Sequence, residues 1–311
     1  MPGEPKLRTT RLRLRFSMRS LLIAVTILCM VLAWRLHRAK QQREAVKAIR
    51  DAGGWVYYDY HHFDPETGSF AVQAEPWEPV WLRDLVGVDF SHDVTAVNMA
   101  FHEELGQRWD NKQSPRDIGA QLAHLPRLRF LGLSEHSVDD AGMYYVGGLK
   151  ELEVLLYWDA PGITDVGAAH LRDMPRLRHL GMGSSDIGDS GLKSLFALSG
   201  LEGLVLQQGN TITDEGLASL TRYPPRLKSL WIGGDSKRPS KITDAGVSHL
   251  AKLLTLEELD LQRSQVTMSG LQPLQALPNL KRLYLSGSQA DDMDAVSAMF
   301  PKCTVTANKK R

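Results

Sequence analysis

The chain has 311 residues, with 37 Lys and Arg against 36 Asp and Glu, and 43% of its positions are apolar; that size and composition allow one to three globular domains. The formal net charge of +1 conceals an asymmetry, because residues 1–50 hold 12 basic and two acidic residues and the remainder carries 25 basic against 34 acidic, a net of −9. An acidic body argues against a phosphate-binding nucleic-acid surface, and two cysteines, Cys29 and Cys303, cannot staple a disulfide scaffold.

Residues 1–20 read as a basic tail. Leu21–Trp34 (LLIAVTILCMVLAW) is uncharged and, at fourteen residues, short of the roughly 20 that a bilayer needs. Ser17–Leu36 supplies 20 positions if Arg19 and Arg35 reach outward to the headgroups, and Trp34 then sits at the interface. The expectation is a membrane anchor over 21–36, with Leu21–Trp34 as the lipid-contacting run. A cleaved signal peptide, using Val31-x-Ala33, is the alternative. Against it, helix-compatible sequence continues to Ala52 and ends at Gly53-Gly54, giving a juxtamembrane helix over 37–54. Six basic residues precede the span and six follow it, so charge alone sets no orientation. The short basic tail favours an extracytoplasmic body.

Residues 55–93 read as an N-terminal cap. Trp55–Tyr60 and Phe70–Gln73 are strand-like, and residues 61–68 between them have turn chemistry, so these two runs are expected to pair as a hairpin. Pro79–Leu85 reads as a short helix. Val94, Val97 and Met99 then open a degenerate first repeat, which such a cap would cover.

From there to residue 306 the chain repeats. The phrase L-x-x-L-x-L begins at Leu128, Leu152, Leu177, Leu201, Leu227, Leu256 and Leu280, in steps of 24, 25, 24, 26, 29 and 24 residues. Its later positions (Leu131/Leu133, Leu155/Tyr157, Leu180/Met182, Leu204/Leu206, Leu230/Ile232, Leu259/Leu261, Leu283/Leu285) are spaced by two and fall on one face of a short strand. A second phrase, I-T-D-x-G, follows at Ile163, Ile212 and Ile242 and, with Gly188 for the threonine, at Ile187, with weaker copies at Val138 and Val266. It opens a short helix, with Thr-Asp in the capping place. A strand plus a helix per two dozen residues, each unit too small to bury its own face, is the pattern of a leucine-rich-repeat solenoid. The expected fold is thus α/β: a curved parallel sheet on the concave side, short helices on the convex side, about eight repeats over 94–306, and a basic tail at 307–311. Cys303–Thr306 reads as a closing strand.

Leu256–Leu261 (LEELDL) and Ile212–Leu217 (ITDEGL) resemble the cysteine-containing subclass of leucine-rich repeats, although the subclass's cysteine is missing from every repeat. Arg15–Leu22 (RFSMRSLL), the anchor and Gly53–Tyr58 (GGWVYY) resemble bacterial membrane-anchored proteins with such arrays. The resemblance implies a binding scaffold, not a reaction, and brings no catalytic residues. Eukaryotic members often carry an F-box; no such module precedes these repeats, which weakens the reading as an F-box-like adaptor facing the cytoplasm.

The residues themselves offer little chemistry. Asp140, Asp165, Asp189, Asp214 and Asp244 recur once per repeat, so they read as helix caps and not as one calcium cage. His61 and His62 are adjacent on a strand and point apart, a poor start for a metal site, and His92, His102, His124, His136, His170, His179 and His249 have no partner at ligand spacing. No nucleophile elbow, P-loop or dinucleotide fingerprint occurs, so neither catalytic residues, metal nor cofactor is expected.

The concave face is the expected partner-binding surface. Its residues lie two, four and six after each first leucine, and they include Phe130, Leu156, Trp158, His179, Val205, Gln207, Trp231, Glu258, Asp260 and Tyr284, with glycines between. From Phe130 to Trp231 the patch spans roughly 20 Å at ~4.8 Å per strand. Aromatics in such a place fit the centre of a protein-binding surface. Arg129, Glu153, Arg178, Glu202, Lys228, Glu257 and Lys281 alternate in sign and fit cross-strand pairing. Insertions at 233–241 and 100–116 leave the same edge, where insertions often mark the contact side. A non-catalytic, membrane-anchored scaffold for another macromolecule is the reading. A structural or envelope spacer without a ligand is the rival, and an enzyme sited in residues 55–93 is a third.

Overall fold

A computed structural model describes residues 17–64, 69–71, 75–99, 115–134, 137–207, 211–219, 226–234, 238–286 and 292–308. The basic tail ahead of Ser17, the turn at 65–68, the His62, His102 and His136 side chains, and the centres of both insertions (100–114 and 235–237) lie outside the described residues.

Helix α1 (Met18–Asp51) runs for 34 residues without a break. Ser17 starts it by accepting the Ser20 amide at 3.1 Å, and Gly53, at φ +84°, turns the chain away after it. Residues 17–37 are exposed along their whole length. Beyond them Ala39, Gln42, Ala45, Val46 and Ile49 form a buried stripe at helical spacing. Ala45, Val46 and Ile49 join the same apolar cluster as the repeat leucines, so the second half of α1 is the first layer of the solenoid core.

Four strands and two helices follow: β1 (Trp55–Tyr58), β2 (His62–Asp64), β3 (Ser69–Ala71), α2 (Val80–Val86), α3 (Val88–Ser91) and β4 (Val94–Asn98). The hairpin is not the one expected. β2 pairs with β3, while β1 runs antiparallel to β4, with Trp55 opposite Asn98. The Val94–Asn98 edge of the parallel sheet would otherwise be open, and β1 covers it.

The repeats comprise α4 (Pro115–Leu122), β5 (Phe130–Ser134), α5 (Asp140–Gly147), β6 (Val154–Trp158), α6 (Asp165–His170), β7 (His179–Met182), α7 (Asp189–Phe196), β8 (Gly203–Val205), α8 (Asp214–Ala218), β9 (Ser229–Trp231), α9 (Asp244–Leu250), β10 (Glu258–Asp260), β11 (Arg282–Ser286), α10 (Met293–Met299) and β12 (Thr304–Asn308). Together with β1 and β4, strands β5 to β12 make one ten-stranded sheet in chain order. The parallel register aligns Leu131, Leu155, Leu180, Leu204, Leu230, Leu259, Leu283 and Val305 in a single row. Leu131 to Leu283 in that row are at most 1% exposed, each burial being worth about 2 kcal/mol. One place breaks the helix pattern: Ser269–Ala276 is a 3-10 helix with Pro273 inside, because proline removes a donor that an α-helix needs.

The recurring Asp does a different job from the one expected. Each is the first residue of its own helix, and its carboxylate accepts from the next repeat. Asp189 accepts the Thr213 amide at 2.8 Å and its hydroxyl at 2.7 Å. Asp214 accepts the same pair from Thr243, Asp244 from Thr267 and Asp140 from Thr164. Asp165, facing Gly188 in place of a threonine, takes the amide alone, at 2.7 Å. The helix's own cap is the preceding residue, as when Thr213 accepts the Glu215 amide. The phrase I-T-D-x-G is thus half of an inter-repeat joint. Its glycine is the other half: a Cβ at Gly216 would lie 2.3 Å from Asp189 Oδ1, and one at Gly246 2.2 Å from Asp214 Oδ1.

Candidate functional site

The sheet register builds the concave face in rows. Its central row reads Gly132, Leu156, Gly181, Val205, Trp231, Asp260 and Tyr284. On the N-terminal side of that row lie Phe130, Val154, His179, Gly203, Ser229, Glu258 and Arg282.

Two of the expected contact residues are covered. Phe130 is 5% exposed and packs with Ala96 and Val154 in a small second cluster, roofed by Tyr57 and Leu156. At the N-terminal end, β1 brings Tyr57 over the sheet, which period-two reading of the repeats alone does not foresee. Asp260 is 3% exposed; it accepts Gln207 Nε2 and the Gln262 amide, both at 2.7 Å. Burial pushes its carboxyl above the ordinary range, against the pull of these hydrogen bonds.

The others reach the surface to different degrees. Trp158 is 52% exposed at the end of β6, its ring 4.0 Å from where a Cβ of Gly183 would lie. Leu156, Val205, Gln207, Trp231, Glu258 and Tyr284 are half-buried, and His179 is exposed. Trp231 and Tyr284 lean together across the intervening Asp260, with ring centroids 5.4 Å apart. The Trp231 indole N–H is buried without an acceptor. Gly203 leaves the room that His179 uses, since a Cβ there would meet its Nδ1 at 2.7 Å. Partial desolvation of the His179 ring against the sheet pushes its imidazole below the ordinary value, with Glu202 pulling the other way.

Along the N-terminal edge of the sheet the alternating charges pair as their spacing predicts. Arg129 forks onto Glu153 at 2.9 and 3.1 Å, Arg178 and Lys228 share Glu202, and Lys281 meets Glu257 at 2.7 Å. The basic partners are more than half exposed, so each pair adds only ~0.2–1 kcal/mol.

A polar cluster in the cap lay beyond sequence reasoning. His92, 3% exposed, is held by Asp59 Oδ1 at its Nδ1 and by Glu78 Oε2 at its Nε2, both at 2.6 Å. Tyr60 lies edge-on to the ring at 4.7 Å. Glu78 is buried; desolvation raises its carboxyl, but bonding and charge from His92 outweigh this and leave it below the ordinary value. Gln42 of α1 donates to the His92 carbonyl at 2.8 Å. His61 Nδ1 is occupied by the Tyr58 amide at 3.0 Å. Among the described residues no group of three or more His, Cys, Asp or Glu is placed to hold a metal ion.

A family model described as Leucine Rich repeat matches residues 175–196, which carry β7 and α7. Among solved structures, an internalin from Listeria monocytogenes is similar at 25% identity and a TM-score of 0.44, over 61% of this chain and 57% of that one. The chain thus spans less than two thirds of that internalin. No curated protein matches the sequence. Parallel strands alternating with short helices over one shared core give the chain a leucine-rich-repeat fold.

Proposed function

We propose that this protein is a non-catalytic, membrane-anchored scaffold that binds a protein partner on its concave face. The observation that carries the reading is the row of half-exposed apolar side chains there. Trp158 stands 52% exposed among glycines, and Trp231 holds a buried indole N–H that has no acceptor. A flat solvated sheet has no use for either. A buried donor without a partner costs about 1–3 kcal/mol, and a ligand carbonyl would recover it once the half-buried Trp231 ring turns its N–H outward. Leu156, His179, Val205, Gln207, Glu258 and Tyr284 complete the surface, with Phe130 and Asp260 supporting it from beneath.

The anchor is α1, whose exposed part reaches a mean hydropathy of 1.9 in its 18-residue apolar window. Nineteen residues from Met18 to Leu36 measure about 28 Å, close to the ~30 Å hydrocarbon thickness. The short basic tail ahead of α1 supports reading the repeat body as extracytoplasmic.

The test is capture from native membranes. Full-length protein with Trp158→Ala or Trp231→Ala should lose a partner that the wild type retains, while Trp158→Ala lowers the urea midpoint without unfolding the protein, because half its surface already meets water. Capture unaffected by both substitutions would favour the spacer reading instead.

A further inference from the structure

The cap carries an apolar surface that the concave face does not use. Trp77, Val80, Trp81 and Leu85 are 76%, 60%, 67% and 75% exposed, on α2 and the turn that leads into it. Soluble surfaces scatter such residues singly; here four lie within nine residues.

Their position is fixed by α1. At one end of the segment, Glu78 grips His92 at 2.6 Å, and the His92 carbonyl accepts Gln42 Nε2 at 2.8 Å. At the other end, Arg43 Nη2 donates to the Val86 carbonyl at 2.7 Å. Its guanidinium fills the space where a Cβ of Gly87, at φ +82°, would lie. Residues 78–86 are therefore strapped to the level of Gln42 and Arg43. That level is six to seven residues past Leu36, about 10 Å along the axis. The headgroup layer occupies roughly 5–8 Å outside the hydrocarbon, and spanning helices tilt by ~20° on average. Tilted by that amount towards α2, α1 lowers an element standing ~10 Å off its axis by ~3 Å, which brings the exposed face of α2 into the headgroup layer.

We propose that Trp77, Val80, Trp81 and Leu85 dock on the lipid surface of the membrane that α1 crosses. This rests on the anchoring of α1 proposed above. Tryptophan prefers this layer, where an apolar ring and a polar N–H are both accommodated. Asp84 lies on the exposed face of the same helix, which confines the contact to the hydrated headgroup zone. Lys40, with a side chain 75% exposed on α1, is placed to meet lipid phosphates there. The consequence is a second foothold: with α1 and α2 both engaged, the solenoid is held at a set tilt, and its concave face points in a fixed direction.

The experiment uses the full chain with Cys29→Ser and Cys303→Ser, carrying one environment-sensitive fluorophore on a cysteine introduced as Val25→Cys, Trp81→Cys, Leu85→Cys or Tyr144→Cys. Each is reconstituted in phosphatidylcholine–phosphatidylglycerol vesicles containing doxyl-labelled lipid. Labels at 81 and 85 should emit at shorter wavelength and be quenched by the doxyl lipid, as the label at 25 is, while the label at 144 on the convex side is not. Quenching at 25 with none at 81 or 85 would overturn the docking and leave the anchor standing. No quenching at any site would overturn both. A blue shift at 81 and 85 without lipid quenching would mean that protein, not lipid, covers the face, and would also overturn the proposal.

Discussion

Gly216→Ala should destabilise the protein, although helix propensity predicts the opposite. In a helix, Gly→Ala is worth about 1 kcal/mol of stabilisation. Here the new Cβ would lie 2.3 Å from Asp189 Oδ1 and 3.0 Å from its Cγ. The carboxylate must move away, which gives up its bonds to the Thr213 amide and hydroxyl. Hydrogen bonds to a charged acceptor contribute about 1.5 kcal/mol each at the lower end, so losing two outweighs the propensity gain by about 2 kcal/mol. The same reasoning fixes a double-mutant cycle. With Asp189→Ala in place the Cβ has room, and Gly216→Ala should then stabilise by up to ~1 kcal/mol. The assay is urea unfolding of the detergent-solubilised full chain, followed by far-ultraviolet circular dichroism. A stabilising Gly216→Ala in the native background, or the same cost in both backgrounds, would refute the inter-repeat joint.

Three further outcomes follow from other contacts. Tyr157→Phe should cost about 1–3 kcal/mol in the same assay, because the buried Tyr157 hydroxyl donates to the Val138 carbonyl at 2.5 Å and accepts its amide at 3.1 Å; an unchanged midpoint would contradict this. In the folded protein the Glu78 carboxyl is held below the ordinary glutamate value. Its contribution is therefore complete above pH ~4.5 and is lost as pH falls through the folded value. Wild type should lose more stability than Glu78→Gln as pH falls from ~5 to ~3, and parallel pH profiles would contradict the assignment. Gly203→Ala should displace the His179 ring, 2.7 Å from the new Cβ, and weaken partner capture with little change in unfolding, since a side chain and not backbone must yield.

The inward leucines were legible because a spacing of two needs only the geometry of one strand. Leu131, Leu180 and Leu259 face the core as the phrase predicts. Contacts that cross repeats were harder to read. Asp189 looks like a cap for the helix it begins, and only the stacking of units brings Thr213, 24 residues on, to its oxygens. The cap misled for the same reason: Trp55–Tyr58 has the composition of a hairpin strand, but its partner is Val94–Asn98, some forty residues away. The core face of α1 was present as Ala39, Gln42, Ala45, Val46 and Ile49. It was obscured by the five basic residues at 38, 40, 43, 47 and 50 and by a glutamine on the buried side. Phe130 and Asp260 were placed on the correct face of the sheet. Their burial depends on Tyr57 and on the leaning of Trp231 towards Tyr284, which spacing does not encode.

The binding claim is tested most directly by photo-crosslinking in native membranes, with a benzophenone amino acid placed at Trp158 on the concave face or at Tyr144 on the convex face. Both positions are more than half exposed, so exposure alone cannot separate them. A partner on the concave sheet gives a discrete adduct from position 158 and none from position 144. Adducts from 144 alone, or the same products from both, would contradict a partner seated on the concave sheet.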